Sequence, residues 1–283
     1  LFNCRAPRHE NLKNMLNRID QKFINLDKEK KKALVAFVTS GDPDFHSSKK
    51  IINSLPKFGA DFIEIGIPFS DPMADGPTIQ RSSQRAIKSG INLAKTFKLI
   101  ENFRESNRKT PVILMGYFNP IFQFGLKKFF QICKKVGVDG LIIVDLPPEE
   151  DSLIKNYTQQ YNVYNIRLVT PTTNKERLSK ISKSSKGFLY YVSIMGITGT
   201  KKPSISILKK SILKIKKNTK LPVLVGFGIN NANQVKEINK FANGCVIGSA
   251  IINLIEDSKK GNYSIEKTLL EIKLFLSKIK KGN

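Results

Sequence analysis

Short apolar runs alternate with longer amphipathic segments along most of the chain. Eight of these runs are rich in β-branched and aromatic residues, which is typical of buried strands. The predicted strands cover residues 33–39, 62–67, 112–117, 140–144, 164–169, 188–192, 223–225 and 245–247. Between them, apolar residues recur at helical spacing. The predicted helices cover residues 46–58, 93–106, 125–136, 149–160, 175–184, 206–218, 231–242 and 264–280.

This alternation predicts an α/β fold built on one parallel sheet, because strands joined by helical crossovers pair in parallel. Eight strand–helix units in about 250 residues favour a closed (β/α)8 TIM barrel over an open doubly wound sheet. We therefore expect a single catalytic domain over residues 15–283. Residues 1–14 stand outside the repeating pattern and are predicted to form a disordered extension, with a misplaced start as the alternative.

The second predicted strand carries a charge on the face that should point into the barrel. Alternation places Phe62, Glu64 and Gly66 on one face and three isoleucines on the other. The isoleucine face should meet the helices, so Glu64 points inward, where burial raises a carboxyl pKa and suits it to proton transfer. The alternative is a structural glutamate paired with a buried base, for which Arg167 is the one candidate on the other strands.

A proline-rich loop follows this strand and carries Asp71 and Asp75. Catalytic groups of a TIM barrel lie at the carboxyl ends of its strands, so Asp75 can be a second carboxylate that faces Glu64 across a pocket. Two carboxylates in unlike surroundings form an acid–base pair. The spacing equally allows Asp75 to cap a helix that begins near Thr78.

Glycine-rich loops follow the last three strands. The sixth strand carries Tyr190, which either lines a pocket or fills the barrel, and the loop after it suits a mobile lid or a phosphate cradle. Gly226, Gly228, Gly248 and Ser249 lie where the next helices should begin. Backbone N–H groups at helix N-termini bind phosphate, and barrels commonly bind it in the loops after strands seven and eight. A phosphorylated ligand is therefore expected.

Charge and composition narrow the functional classes. The net charge of +25 is typical of a nucleic-acid-binding protein, but 39 lysines against 9 arginines are scattered over most segments. Few arginines among many lysines are unsuited to the recognition of specific bases. A codon usage that favours Lys, Ile and Asn accounts for the lysine excess, so we expect no nucleic-acid partner. Three dispersed cysteines and two histidines exclude a disulfide framework, a CxxC site and a histidine-rich metal centre. No membrane span or signal peptide is recognisable, which predicts a cytoplasmic protein without a metal.

The ordered series of motifs resembles the alpha chain of tryptophan synthase. Its most specific part is the long segment EIGIPFSDPMADGPTIQ at residues 64–80. The resemblance extends from about residue 15 to the C-terminus. The other matching segments are FVTSGDP (37–43), YFNPIF (117–122), DLPPEE (145–150), YVSIMGITG (191–199), GFGI (226–229) and GSAI (248–251).

The resemblance implies a role for each matching residue. Glu64 is the expected acid–base catalyst, and Asp75 is expected to engage the indole nitrogen. The substrate pocket is expected to include Phe37, Tyr190 and the lid residue Thr198. The implied phosphate-binding residues are Gly199, Phe227, Gly228, Gly248 and Ser249, and the implied contacts to a partner chain are Asp71, Pro72 and Asn119.

The implied reaction is retro-aldol cleavage of indole-3-glycerol phosphate to indole and glyceraldehyde 3-phosphate, in the last steps of tryptophan biosynthesis. The implied partner is a beta chain in an α2β2 heterotetramer, which carries the pyridoxal phosphate, while this chain needs no cofactor. Ile194 and Met195 occupy lid positions that are polar in many relatives, so lid closure or coupling can differ. The alternatives are another barrel lyase or isomerase, a non-catalytic activating partner of a beta chain, and a basic RNA-binding protein.

Overall fold

Nine parallel strands form one barrel in the computed structural model, which describes residues 16–192, 205–226 and 228–282. The hydrogen-bonded order is β5-β4-β3-β2-β1-β9-β8-β7-β6. The strands of the described residues are β1 (Ala33–Thr39), β2 (Phe62–Gly66), β3 (Val112–Gly116), β4 (Gly140–Ile143), β5 (Tyr164–Asn165), β6 (Arg167–Val169), β7 (Leu189–Val192), β8 (Val223–Gly226) and β9 (Gly244–Ile247).

The fifth predicted strand is divided into β5 and β6 at Ile166, so the nine segments amount to the eight strands of a TIM barrel. β5 pairs with β4, and β6 pairs with β7, which completes the ring on both sides of the break. The predicted (β/α)8 fold is confirmed. The predicted boundary between residues 1–14 and 15–283 falls outside the described residues.

Twelve α-helices surround or cover the barrel within the described residues. They are α1 (Arg18–Lys28), α2 (Phe45–Ser54), α3 (Pro77–Lys88), α4 (Leu93–Ser106), α5 (Phe118–Phe124), α6 (Leu126–Val136), α7 (Ser152–Tyr161), α8 (Lys175–Ser184), α9 (Ile205–Lys216), α10 (Ala232–Asn239), α11 (Ser249–Lys260) and α12 (Ile265–Lys280). Many begin at a side chain that accepts a hydrogen bond from the first turn, such as Asp44, Asn92 and Ser264.

The structure has four helices outside the eight predicted segments, namely α1, α3, α5 and α11. A helix beginning near Thr78 was considered only in the alternative that made Asp75 its cap. The buried residues of α3 are Ser82, Ser83 and Ala86, which are too small and polar to give a repeating apolar stripe. α5 has seven residues, of which one is buried. The other two helices, α1 and α11, do bury apolar residues at helical spacing, such as Ile19, Phe23 and Leu26 of α1, so their pattern is present in the sequence.

Helix α1 fills the half of the barrel interior that lies nearest the amino ends of the strands. Ile19, Phe23 and Leu26 of α1 pack against the inward residues of the strands, among them Phe62 and Phe188. The rings of Phe23 and Phe62 have centroids 5.0 Å apart. This packing closes the end of the barrel where the strands begin.

The outward strand residues pack against the helices in a second, larger cluster that includes Ile63, Ile65 and Ile67. The expected division of β2 into an inner and an outer face is therefore confirmed. Arg167 was the one base considered for the barrel interior, and this possibility is wrong. Leu168 packs with the inner cluster, while the Arg167 guanidinium pairs with Asp151 and donates to the Leu146 carbonyl. Alternation along β6 turns Arg167 outward.

Candidate active site

Glu64 lies inside the barrel without a hydrogen-bond partner. It is 0% exposed, pairs in register with Phe37 on β1 and Ile113 on β3, and neither carboxyl oxygen is hydrogen-bonded. No base faces it among the ion pairs of the described residues. Burial, together with the nearby Asp75 charge, raises its pKa from 4.5 to about 8. The predicted inward orientation is confirmed, and the alternative of a paired structural glutamate is wrong.

The unpaired carboxyl leads to a prediction about stability. The unfolded chain releases the Glu64 proton near pH 4.5 and the folded chain near pH 8, so the wild type loses stability as the pH rises between these values. Glutamine does not titrate. We therefore expect the unfolding free energy of Glu64→Gln, measured relative to that of the wild type, to increase by on the order of 4 kcal/mol from pH 4.5 to pH 8.5. Urea titrations at both pH values measure it, and a constant difference between the proteins contradicts it.

Two aromatic rings surround Glu64, and glycines make room for them. A Cβ atom at Gly226 would lie 2.3 Å from the Tyr190 ring, and one at Gly66 would lie 2.7 Å from the Phe37 ring. No side chain fits at either glycine while the rings stay in place. Phe37 and Tyr190 are therefore held at the depth of Glu64, as a substrate pocket requires. Burial and the Glu64 charge raise the pKa of Tyr190, so its hydroxyl stays protonated.

Asp75 lies in the loop between β2 and α3 and does not cap that helix. The N-cap of α3 is Gly76, and no side chain caps this helix, so the capping alternative is wrong. The Asp75 N–H donates to the Pro72 carbonyl at 3.1 Å, and the Gln80 amide donates to the Asp75 carbonyl at 2.9 Å. Burial raises the pKa of Asp75 to about 6, and a hydrogen bond from Tyr117 opposes this rise.

A cavity lies at the carboxyl ends of β1 to β4, directly above Glu64. Its lining residues are Phe37, Thr39, Gly66, Ile67, Asp75, Ile79, Ser83, Met115, Gly116, Tyr117 and Val144. Gly66 is two residues beyond Glu64 on the same face of β2, so Glu64 lies beneath the floor. The cavity measures about 20 Å³, which is room for one water molecule. Lining side chains must move before an aromatic ring reaches Glu64.

Tyr117 is a polar residue of this site that has no role in the sequence-based prediction. It follows β3 directly, lines the cavity, and accepts a hydrogen bond from the Ala74 N–H at 3.0 Å. In the sequence it ends an apolar run and reads as a strand residue. It belongs to the segment YFNPIF, and its contact with the loop before α3 depends on the fold.

The predicted phosphate-binding residues are only partly described. Gly248 is the N-cap of α11 and Ser249 is its first residue. No side chain caps this helix, and in its first turn the Ile251 N–H donates to the Gly248 carbonyl, which leaves the N–H groups before Ile251 open to a ligand. Gly228 does not begin a helix, contrary to expectation, because α10 begins at Ala232 with Asn231 as its cap. Gly228 instead adopts a φ of +42° in the loop. Thr198, Gly199 and Phe227 lie outside the described residues, as do Ile194 and Met195.

The predicted partner contacts lie on the surface next to the cavity. Asp71 and Asn119 are exposed, and Pro72 is half-buried. Two large apolar side chains lie on the same two segments, Met73 at 81% exposure and Phe122 at 54%. Neither was singled out from the sequence.

The described residues contain neither a metal-binding cluster nor a membrane-spanning helix. Across the described parts of the chain, no cluster of three or more His, Cys, Asp or Glu side chains is arranged to hold a metal ion. No helix in these parts is long and apolar enough to cross a membrane.

Comparison with known proteins identifies the family. The family model described as tryptophan synthase alpha chain matches residues 23–281. The chain belongs to this family. Tryptophan synthase subunit alpha from Legionella pneumophila str. Paris is 38% identical, with a TM-score of 0.88 over 94% of this chain and 98% of its own. A structure from Aquifex aeolicus VF5 is 35% identical, with a TM-score of 0.84 over 94% and 99%. Mycobacterium tuberculosis tryptophan synthase is 27% identical, with a TM-score of 0.84 over 94% and 98%.

Membership of the tryptophan synthase alpha chain family confirms the resemblance and the enzyme class. Members of this family cleave indole-3-glycerol phosphate, which is a lyase reaction of tryptophan biosynthesis, and they work with a beta chain. The fold and the family therefore agree on an enzyme whose site lies at the mouth of the barrel.

Proposed function

We propose that Glu64 and Asp75 of this chain cleave indole-3-glycerol phosphate to indole and glyceraldehyde 3-phosphate. The observation that carries this proposal is the buried Glu64 carboxyl, which has no hydrogen-bond partner and lies beneath a cavity lined by Asp75. A structural carboxyl would be paired, because burying an unpaired one costs stability. An unpaired one is available to a reacting molecule.

Glu64 acts first as an acid and then as a base. The bond between indole C3 and the side chain breaks when C3 accepts a proton and the neighbouring side-chain hydroxyl loses one. With a pKa of about 8, Glu64 carries a proton at neutral pH and can give it to C3. The resulting carboxylate then accepts the hydroxyl proton as the carbon–carbon bond breaks, which restores the starting state.

Asp75 stabilises the charge that this protonation creates. Protonation at C3 makes the indole ring cationic, with the charge centred on its nitrogen. An ionised Asp75 at the cavity wall lowers the energy of this species through a charge-assisted hydrogen bond from the ring N–H. Glu64 and Asp75 thus have different surroundings and different roles, as an acid–base pair requires.

The substrate phosphate binds at the mouth of the barrel in this proposal. The uncapped N-terminus of α11 supports the roles of Gly248 and Ser249, because its open N–H groups and helix dipole favour an anion. Gly228, Phe227 and Gly199 are proposed to complete the phosphate site. Binding energy from the phosphate then positions the distant reacting bond.

We further propose that the chain needs no cofactor of its own and acts in an α2β2 heterotetramer whose beta chain carries pyridoxal phosphate. The exposed apolar side chains of Met73 and Phe122 support a protein contact beside Asp71, Pro72 and Asn119. The two described cysteines are buried and unpaired, which fits a reducing cytoplasm. The scattered lysines are proposed to bind no nucleic acid.

One assay tests the proposed reaction, namely indole release from indole-3-glycerol phosphate by the isolated chain, with and without a beta chain. We expect release by the isolated chain, faster release with the beta chain, and competition by glycerol 3-phosphate. If the isolated chain and the pair both fail to release indole, the catalytic proposal is wrong. If only the pair releases indole, the chain depends on its partner for catalysis.

The same assay should give a bell-shaped pH dependence of kcat/KM. Activity rises as Asp75 ionises near pH 6 and falls as Glu64 loses its proton near pH 8. The substrate phosphate also titrates at about pH 6. Asp75→Asn is therefore the control, because it removes the contribution of the enzyme to the acid limb and leaves that of the substrate. A rate that still rises above pH 9 would contradict the assignment of Glu64 as the acid.

A further inference from the structure

Tyr117 is held rigidly at the end of β3. The residue is 3% exposed and follows Gly116, the last residue of the strand. Its ring packs against that of Phe69, with centroids 5.1 Å apart and planes inclined by 33°. A phenol fixed by a strand on one side and a ring on the other has little freedom to turn, so its hydroxyl oxygen occupies a defined position at the cavity wall.

The hydrogen bonds of this hydroxyl direct its proton. The Ala74 N–H donates to the Tyr117 oxygen at 3.0 Å, so the oxygen is already an acceptor on that side. A phenol has one proton to donate. Asp75 is the next residue after Ala74 and shares the cavity wall with Tyr117, so its carboxylate is placed to accept this proton. Such a hydrogen bond opposes the rise that burial causes in the pKa of Asp75 and adds to the rise in the pKa of Tyr117.

The loop that carries Asp75 has few other constraints on that side chain. The Gln80 amide and the Pro72 carbonyl hold only the backbone of Asp75. Met73, two residues earlier, projects into solvent. The Tyr117 hydroxyl accepts from the backbone N–H of Ala74 and lies on the same cavity wall as Asp75, and it therefore joins this loop to the barrel wall.

We propose that Tyr117 is a positioning residue, whose hydroxyl holds the Asp75 carboxylate where the substrate ring nitrogen arrives. This inference rests on the proposed function, because it assigns Asp75 the role of stabilising the ring cation. Without the hydroxyl, the carboxylate can take other rotamers, and part of the substrate's binding energy is spent on aligning it. The hydrogen bond also favours the ionised carboxylate, which is the form that the reaction uses.

The decisive variant is Tyr117→Phe, which keeps the ring against Phe69 and removes only the hydroxyl. We expect kcat for indole release to fall by about 10- to 30-fold, which is the value of a hydrogen bond to a charged group. KM should stay within about threefold, because the ring packing and the phosphate site are unchanged. The acid limb of the pH profile should move to higher pH, since Asp75 loses a group that favours ionisation.

A double variant separates positioning from a general effect on the fold. In the Asp75→Asn background, Tyr117→Phe should cause less than about a twofold further loss, because the group that it positions is already gone. Equal losses in the two backgrounds would overturn the proposal. Tyr164→Phe is the matched control, since it removes a tyrosine–aspartate hydrogen bond, to Asp20, at the opposite end of the barrel. It should leave the rate and the pH profile unchanged.

A direct measurement keeps this inference separate from the proposed reaction. The pKa of Asp75 can be read by NMR from a ¹³C-labelled carboxyl group without any substrate, with Asp75→Asn identifying the signal. The pKa of Asp75 should be higher in Tyr117→Phe than in the wild type. An unchanged value overturns the inference even if the enzyme is active. A raised value in a protein that releases no indole leaves the contact established and rejects the reaction.

Discussion

Glu64→Gln is expected to abolish indole release while the phosphate site still binds its ligand. Glutamine has the size of glutamate but can neither give a proton to indole C3 nor accept one from the side-chain hydroxyl. Loss of an acid–base group costs about 100- to 10,000-fold. We expect a loss near the upper end of this range, because Glu64 serves both proton transfers and the other carboxyl of the site, Asp75, has a pKa of about 6 and is ionised at neutral pH.

The measurement combines kinetics and binding on the same protein. Glycerol 3-phosphate binding, measured by calorimetry, should match the wild type, because the phosphate loops are untouched. Glu105→Gln, on the exposed surface of α4, is the control for the chemical change itself. If Glu64→Gln retains turnover above a tenth of the wild-type value, Glu64 is not the acid–base catalyst.

Asp75→Asn is expected to lower kcat/KM by about 100- to 1,000-fold without unfolding the protein. Asparagine keeps the shape of the side chain and can still accept a hydrogen bond from the indole N–H, but it does not offset the positive charge of the protonated ring. Because Gly76 caps α3, the substitution leaves the start of that helix intact. The thermal midpoint should therefore stay within a few degrees of the wild type.

Thermal unfolding and indole release together decide this case. Asp27→Asn, on the exposed face of α1, gives the matched change far from the cavity and should affect neither quantity. A large drop in the midpoint with most of the activity retained would restore a structural role for Asp75. A loss of activity that disappears above pH 8 would also contradict the charge argument, because Asp75 of the wild type is ionised there.

The parts of the fold that were predictable are those in which burial leaves a periodic pattern. β1 is buried along its whole length and was predicted to the residue. α3 is absent from the predicted helical segments, and a helix beginning near Thr78 was considered only as one that Asp75 would cap, because its buried face consists of small polar residues beside the barrel. The break at Ile166 was missed for a similar reason, since both halves of the strand carry the same pattern.

The site was predictable wherever a residue violates the pattern around it. Glu64 is a charge in an apolar alternation, so its inward position followed from the sequence. Spacing left two roles open for Asp75, and only the backbone geometry of Gly76 decides between them. Tyr117 breaks no pattern, because a tyrosine suits the end of a strand. Its contact with Ala74 joins residues 43 positions apart and depends on the folded chain.

The three side chains that α1 inserts into the barrel also determine the route of every reactant. Since Ile19, Phe23 and Leu26 occupy the lower half, the interior is a blind chamber rather than a passage. Because the described residues close this end, substrate enters and products leave at the end where the strands finish. A segment or partner that covers this end of the barrel therefore controls both substrate entry and product release. It also determines whether a small apolar product is released into water or transferred directly.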